Sequence, residues 1–281
     1  MTILRNLSEL NEWRAQCSGQ TIGFVPTMGA LHNGHFSLVR ESMKQANLTI
    51  VSIYVNPTQF DNPEDLRKYP NTLESDIKEL KDLEVNAVYL PTLSDLYPNG
   101  PISRAFDFGS LARFMEGIGR DGHFEGMATV VTKFFELIQP NFAYFGEKDF
   151  QQLAIITRVV QQENLPTVIV PVKTERDEDG MAMSSRNLRL LDAQRKDAGN
   201  INKILKKWIF RKGYRSSTPG ESSELLANEI SHYESLTVHY VTFADSKNLE
   251  PIASFNTSTP TRIFVAVQCG NVRLIDNFPL F

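Results

Sequence analysis

From residue 22 to residue 172 the chain alternates short apolar, β-branched or aromatic runs with longer stretches of helical spacing. Ile22-Gly23-Phe24-Val25-Pro26 reads as a buried strand, and a helical pattern through Phe36, Leu38, Val39 and Met43 comes after it. Residues 48–55 form a second strand that Asn56-Pro57 ends, and a helix is expected over about 72–83, with a Thr cap and an acidic first turn. A short strand over 86–91 comes next, then a helix over 126–138 closed by Gln139-Pro140, then the strand Phe142-Ala143-Tyr144-Phe145. A helix over about 149–163 leads to a last strand over 167–172. Near-continuous apolar strands separated by helices are the pattern of a parallel sheet covered on both faces. Ligands of such sheets gather beyond the carboxyl ends of the strands. His32, Asn56, Gly146 and the segment after Val172 all stand at such ends, which places them around one crevice.

The pattern changes near residue 180. A charged loop, Glu175-Arg176-Asp177-Glu178-Asp179-Gly180, precedes Met181-Ala182-Met183-Ser184-Ser185-Arg186-Asn187. A long amphipathic helix over about 192–212 and a polar break at Arg215-Ser216-Ser217-Thr218-Pro219-Gly220 come next. A second helix runs to about residue 233, and strands over 238–243, 262–268 and 272–275 finish the chain. About a hundred residues suffice for a small core of their own. The expected organisation is therefore an α/β domain over 1–175 and a smaller α+β domain over 176–281, with a hinge between about 173 and 184.

Bulk properties narrow the partners. A hydrophobic content of 41% and a charged content of 22% are those of a soluble globular chain. A net charge of −4 and the lack of a long basic run give no general attraction to nucleic acid. No apolar stretch reaches the length of a membrane span, and the N-terminus lacks the layout of a signal peptide. Cys17 and Cys269 show no metal-type spacing; a disulfide between them has no support, and a reducing cytoplasm is the easier reading.

The first strand–helix junction carries the chemistry: Met28-Gly29-Ala30-Leu31-His32-Asn33-Gly34-His35. A turn without bulky side chains at a helix N-terminus suits a triphosphate, because unpaired N–H groups and the macrodipole favour anions there. Gly34 would let a flat base lie against the backbone. His32 and His35, three apart, can both donate to phosphate oxygens. The same pair could instead be two ordinary histidines at a helix cap.

Further along come, in this order, Asn56-Pro57-Thr58-Gln59-Phe60, Asp65-Leu66-Arg67-Lys68-Tyr69-Pro70, Gly122-His123-Phe124-Glu125-Gly126, Phe145-Gly146-Glu147-Lys148-Asp149-Phe150-Gln151-Gln152, Met183-Ser184-Ser185-Arg186-Asn187 and Arg273-Leu274-Ile275-Asp276-Asn277. With the histidine segment, they make the chain closely resemble the pantothenate synthetase (pantoate–β-alanine ligase) family. That family belongs to the nucleotidyltransferase superfamily, which also includes class I aminoacyl-tRNA synthetases. The histidine pair alone marks only the superfamily; the Asn-Pro-x-Gln-Phe and Gly-Glu-Lys-Asp-x-Gln-Gln elements narrow it.

The resemblance implies a Rossmann-like, doubly wound N-terminal domain and a two-step ligation. Pantoate attacks the α-phosphorus of ATP to give pantoyl adenylate and pyrophosphate; the amine of β-alanine then gives pantothenate and AMP, with Mg²⁺ accompanying the triphosphate. It assigns His32 and His35 to the triphosphate, His35 as general acid or charge stabiliser, and Met28, Gly29, Ala30, Leu31, Asn33 and Gly34 to the nucleotide pocket. Lys148, one step after the Gly146-Glu147 turn, carries a compact positive charge to the phosphates. Asp149 either caps the next helix or holds the ribose or metal-side network. Met183, Ser184, Ser185 and Arg186 correspond to a mobile phosphate-binding loop, and Glu175 to a backbone contact with adenine. Gln59 and Gln152 are the expected pantoate clamps, with Asn56, Tyr69 and His123 on the pocket wall and Phe60 and Phe124 around the gem-dimethyl group or in the core. No protein metal ligands are expected.

Two segments depart from the common pattern: Lys173-Thr174-Glu175-Arg176-Asp177 replaces a Pro-Thr-Val/Ile-Arg-Glu run, and Met127 stands where Val is usual. Members of the family are generally homodimers, and the strand over 50–55 with its neighbours is compatible with an interface. Two other readings fit part of the pattern: a nucleotidylyltransferase that stops at AMP transfer to a small metabolite, and an inactive adenine-nucleotide sensor.

Overall fold

A computed structural model describes residues 1–281. Strand β1 (Thr2–Leu4) and helix α1 (Leu7–Gln16) open the chain, followed by β2 (Ile22–Thr27), α2 (Asn33–Gln45), β3 (Leu48–Ile53), the short α3 (Pro63–Arg67), α4 (Leu73–Asp82) and β4 (Ala87–Tyr89). Then come the single turn α5 (Leu93–Leu96), α6 (His123–Ile138), β5 (Phe142–Gly146), α7 (Phe150–Gln162) and β6 (Val168–Val172). Helices α8 (Asp192–Phe210) and α9 (Pro219–Ser231) precede β7 (Leu236–Asp245), β8 (Thr261–Cys269) and β9 (Val272–Pro279). The chain divides into two compact units. The first comprises Met1–Phe108, Gly119–Glu147 and Gln152–Lys173; the second comprises Gly109–Ile118, Lys148–Gln151 and Thr174–Phe281. No helix is long and apolar enough to cross a membrane.

In the first unit six parallel strands lie in the order β1-β4-β3-β2-β5-β6. Successive strand residues face opposite sides. Val25, Val51, Val88 and Tyr144 therefore pack on one side with Leu38 and Val39 of α2 and Leu80 of α4. Phe24 and Tyr89 turn to the other side and meet Phe134 of α6. Both faces are covered, which is the doubly wound α/β sheet the alternation implies. From β2 the chain runs outward through β3 on one side and later places β5 on the other, so the switch point lies between β2 and β5. Strand β1 is not legible in the sequence because three residues give no period, and helix α1 is not because only Leu10 and Trp13 of its ten residues are buried. Helix α6 begins at His123 rather than Gly126, after Gly122 at φ 75°. Strand β3 lies between β2 and β4, with Ile50 and Val51 fully buried.

The second unit is α+β. The antiparallel sheet β7-β8-β9 packs Phe243, Ile263, Val265 and Leu274 with Ile201, Leu205 and Trp208 of α8 and Leu226 and Ile230 of α9. Strand β9 extends to Pro279, well past residue 275, so Asp276 and Asn277 lie inside the sheet, paired with Val265 and Phe264. Cys17 and Cys269 are both free and buried.

Candidate active site

The turn after β2 is built around a carboxylate that sequence reading passed over. Gly29 and Ala30 both adopt left-handed backbone, at φ 80° and 51°. Asp76 of α4, 3% exposed, holds them. Its Oδ2 accepts the Ala30 N–H and its Oδ1 the Leu31 N–H, both at 2.9 Å. The Thr72 hydroxyl donates to the same carboxylate at 3.1 and 3.2 Å, instead of capping α4 as its position suggested. A side chain at position 29 would press on this acid: a Cβ there would lie 3.1 Å from Asp76 Oδ2 and 3.2 Å from Ile53 Cγ2.

The histidine pair forms the helix cap. His32 is the N-cap of α2, and its Nδ1 accepts the Gly34 N–H at 3.1 Å. His35 Nδ1 in turn accepts the His32 N–H at 3.3 Å, and the ring centroids lie 4.1 Å apart. A nitrogen that accepts from an N–H carries no proton of its own, so each neutral ring bears its hydrogen on Nε2. The caps thus set the tautomer in which Nε2 is a donor. One expectation changes: the Gly34 N–H, read as part of an unpaired helix start open to an anion, is taken by the His32 ring.

The segment after β3 is fastened to α6. Asn56, 1% exposed, donates through Nδ2 to the Gly126 carbonyl at 3.0 Å. Its Oδ1 accepts from Tyr97 Oη at 2.8 Å and Thr58 Oγ1 at 3.2 Å. The Asn56 amide, expected on a pocket wall, thus also ties this segment to α6. Gly126 is required by close approach: a Cβ would stand 2.0 Å from the Thr58 carbonyl oxygen. The Gln59 carbonyl faces His123 Nδ1 at 2.7 Å, while Arg120 stands 3.0 Å from the same nitrogen. One nitrogen cannot donate to a carbonyl and accept from a guanidinium; the shorter contact puts the proton on Nδ1. Tyr69 meets Phe60 edge-on at 5.8 Å, Phe124 is buried, and Met127 fills the α6 core at 1% exposure. The Gln59 and Gln152 amides, both half-buried, enter no intrachain hydrogen bond. Gly146 ends β5 opposite Val172, and Glu147 starts the 3₁₀ turn Glu147–Asp149.

In the second unit, Lys148 forms an ion pair with Asp149 at 3.2 Å, and its carbonyl accepts from Asn277 Nδ2 at 2.9 Å. Gln151, the neighbour of the residue singled out from sequence, is a buried brace: Nε2 donates to the Leu111 and Phe114 carbonyls, and Oε1 accepts the Glu116 N–H. The base of the Ser-Ser-Arg loop is a tight antiparallel turn, with Arg176 bridged to Ala182, and the Glu175 carbonyl accepts the Met183 N–H at 3.0 Å. Arg195 clamps Asp179 at 2.6 Å and Asp177 at 2.8 Å, and holds the Asp179 carboxyl below its ordinary range. Ser184 caps the 3₁₀ turn Ser185–Arg189, accepting the Arg186 N–H at 3.3 Å; Ser185 is buried. No group of three or more His, Cys, Asp or Glu side chains is arranged to hold a metal ion.

A profile of the pantoate-beta-alanine ligase family matches residues 2–279. The chain is 44% identical over 262 residues to the pantothenate synthetase of Flavobacterium psychrophilum, which covers 93% of this chain and 92% of that one. It is 43% identical over 273 residues to the pantoate–β-alanine ligase of Schizosaccharomyces pombe, covering 96% and 94%. Among solved structures, pantothenate synthetase from Thermus thermophilus superposes over the full length of both chains with a TM-score of 0.92 and 35% identity. The Francisella tularensis pantoate-beta-alanine ligase, complexed with beta-gamma ATP and beta-alanine, gives 0.85 at 38% identity, covering 100% and 98%.

Proposed function

The chain belongs to the pantoate–β-alanine ligase family, and we propose that it carries out this ATP-dependent ligation through a pantoyl adenylate, with its own residues in the roles that follow. The pantoate carboxylate attacks the α-phosphorus of ATP and pyrophosphate leaves. The β-alanine amine then attacks the acyl carbon, and AMP leaves as pantothenate forms. Catalysis of this kind rests on positioning the reactants and neutralising charge that builds on phosphate oxygens.

One observation carries the reading: each of His32 and His35 is capped through Nδ1, which fixes an Nε2–H donor on both rings at the carboxyl end of β2. Those donors serve the triphosphate, with Met28, Gly29, Ala30, Leu31, Asn33 and Gly34 shaping the nucleotide pocket. Lys148 contributes a compact charge, and Arg186 with the Ser184 and Ser185 hydroxyls further donors. The main chain at Glu175 and Met183 serves the adenine side, and Gly146, Glu147 and Asp149 the turn that carries Lys148. Gln59 and Gln152 grip pantoate, since an amide both donates to a carboxylate and accepts from hydroxyls. Tyr69, His123 and Asn56 hold the segments that bear these amides. Residues 1–175 act as the nucleotide- and pantoate-binding domain, and residues 176–281 carry the phosphate-binding loop.

Mg²⁺ would be held by the triphosphate oxygens and water, the hard donors this cation takes, and would there offset phosphate charge. The enzyme works in the cytoplasm as a homodimer, in keeping with its family and its two free thiols. A coupled assay for AMP and pantothenate from ATP, pantoate and β-alanine tests the reading. His35→Ala is expected to cut pantoate-dependent ATP–pyrophosphate exchange at least about 100-fold. Unchanged exchange would remove His35 from the chemistry. A stable adenylated product with no amine dependence would point to nucleotidyl transfer instead.

A further inference from the structure

The closing motif Arg273-Leu274-Ile275-Asp276-Asn277 has no part in the roles above, yet its two last residues reach both cationic segments of the second unit. Adjacent strand residues face opposite ways, so one short piece of β9 can serve two neighbours. Asn277, 5% exposed, donates through Nδ2 to the Lys148 carbonyl at 2.9 Å. Asp276, 9% exposed, accepts both arms of the Arg176 guanidinium, at 2.6 and 2.9 Å. Arg176 also donates to the Gly180 carbonyl at 3.0 Å and lies over the Phe278 ring at 4.3 Å. It is bridged to Ala182, whose carbonyl accepts from Asn187 Nδ2 at 3.0 Å, and residues 184–186 lie between those two points. The Asp276 carboxylate further accepts the Asn277 N–H at 2.8 Å, which joins the two arms.

We infer that Asp276 and Asn277 are positioning residues that hold Lys148 and the Ser184–Arg186 segment in one rigid frame on β9, so that the donors for the nucleotide keep fixed mutual geometry. The inference rests on the roles given above to Lys148 and Arg186. Its physical basis is the steep dependence of transition-state stabilisation on placement, where a shift of about 1 Å can cost about 100-fold. A bidentate Arg–carboxylate pair and an amide–carbonyl bond, both largely removed from water, fix position better than single exposed contacts.

Double-mutant cycles in pantoate-dependent ATP–pyrophosphate exchange test it, because a residue that acts only through another loses its effect once that other is gone. Asn277→Asp keeps the side-chain size but cannot donate to the Lys148 carbonyl. It is expected to slow exchange by about tenfold in the parent and by less than about twofold in a Lys148→Ala background. Asp276→Asn should behave likewise in the parent and in Arg186→Ala. Equal slowing in parent and Lys148→Ala backgrounds would overturn the inference, as would a parental rate for Asn277→Asp. Parental exchange in Lys148→Ala alone would overturn the role of Lys148 itself, a failure distinct from a cycle that does not cancel.

Discussion

Replacing Asp76 with Asn isolates what the buried carboxylate does for the histidine turn. Asp76 is 3% exposed and accepts two backbone N–H groups, from Ala30 and Leu31, besides the Thr72 hydroxyl. An asparagine retains one oxygen. That oxygen will take the fully buried Ala30 N–H, which turns the amide nitrogen toward the part-buried Leu31 N–H, where water can partly make good the loss. One orphaned donor costs about 1–3 kcal/mol, and loss of the charge on the remaining bonds adds a fraction of that. A penalty of about 2 kcal/mol is expected, against about 3–4 for Asp76→Ala, which strands both donors. The two tryptophans report separately: Trp13 lies in the first unit and Trp208 in the second. Urea unfolding followed by Trp13 fluorescence in a Trp208→Phe background therefore reads the first unit. Hydrogen exchange at the Ala30 and Leu31 amides should quicken before global unfolding does. Because the turn feeds directly into His32, pantoate-dependent ATP–pyrophosphate exchange should fall by about tenfold or more. Thr72→Val removes only a donor to the acid and should cost less than about 1 kcal/mol. If Asp76→Asn leaves both the unfolding midpoint and the exchange rate at parental values, the turn is not held as argued.

Gly126→Ala would drive a methyl group to 2.0 Å from the Thr58 carbonyl oxygen; about 2–3 kcal/mol of destabilisation is expected, with a raised KM for pantoate, and an unaltered variant would show that the Asn56–Gln59 segment can move away freely. The two adjacent glutamines should separate cleanly: Gln151→Ala strips the three bonds that brace residues 109–118 and should lower the melting temperature, whereas Gln152→Ala should raise the KM for pantoate and spare ATP binding, as steady-state kinetics would check. Arg195 depresses the Asp179 carboxyl from its ordinary 3.8, so this pair's stabilisation is full above that pH and is lost as the pH falls through the lower folded value; Asp179→Asn should flatten acid unfolding below about pH 4, and an acid limb identical to the parent's would contradict this.

Much of this architecture was legible in the chain itself, for a physical reason. The period of apolar residues reports which face of a strand or helix is buried, and the alternation of the two periods allows little except a parallel sheet between helices. Short-range chemistry was equally readable: His32 and His35 interact across one helical turn, and the cap was already in the spacing. What sequence could not carry were bonds between residues far apart along the chain. Asp76 looked like a solvated first-turn acid, because the N–H groups it accepts lie 45 and 46 residues earlier. Nor did the sequence show that Asn56 donates to the Gly126 carbonyl, 70 residues on. Gln151 and Gln152 are identical in type and differ only in which way the helix turns them. Local periodicity decided the elements and their faces; which polar groups remain for a substrate was decided by packing, since a buried polar group must find its partner wherever the fold brings one.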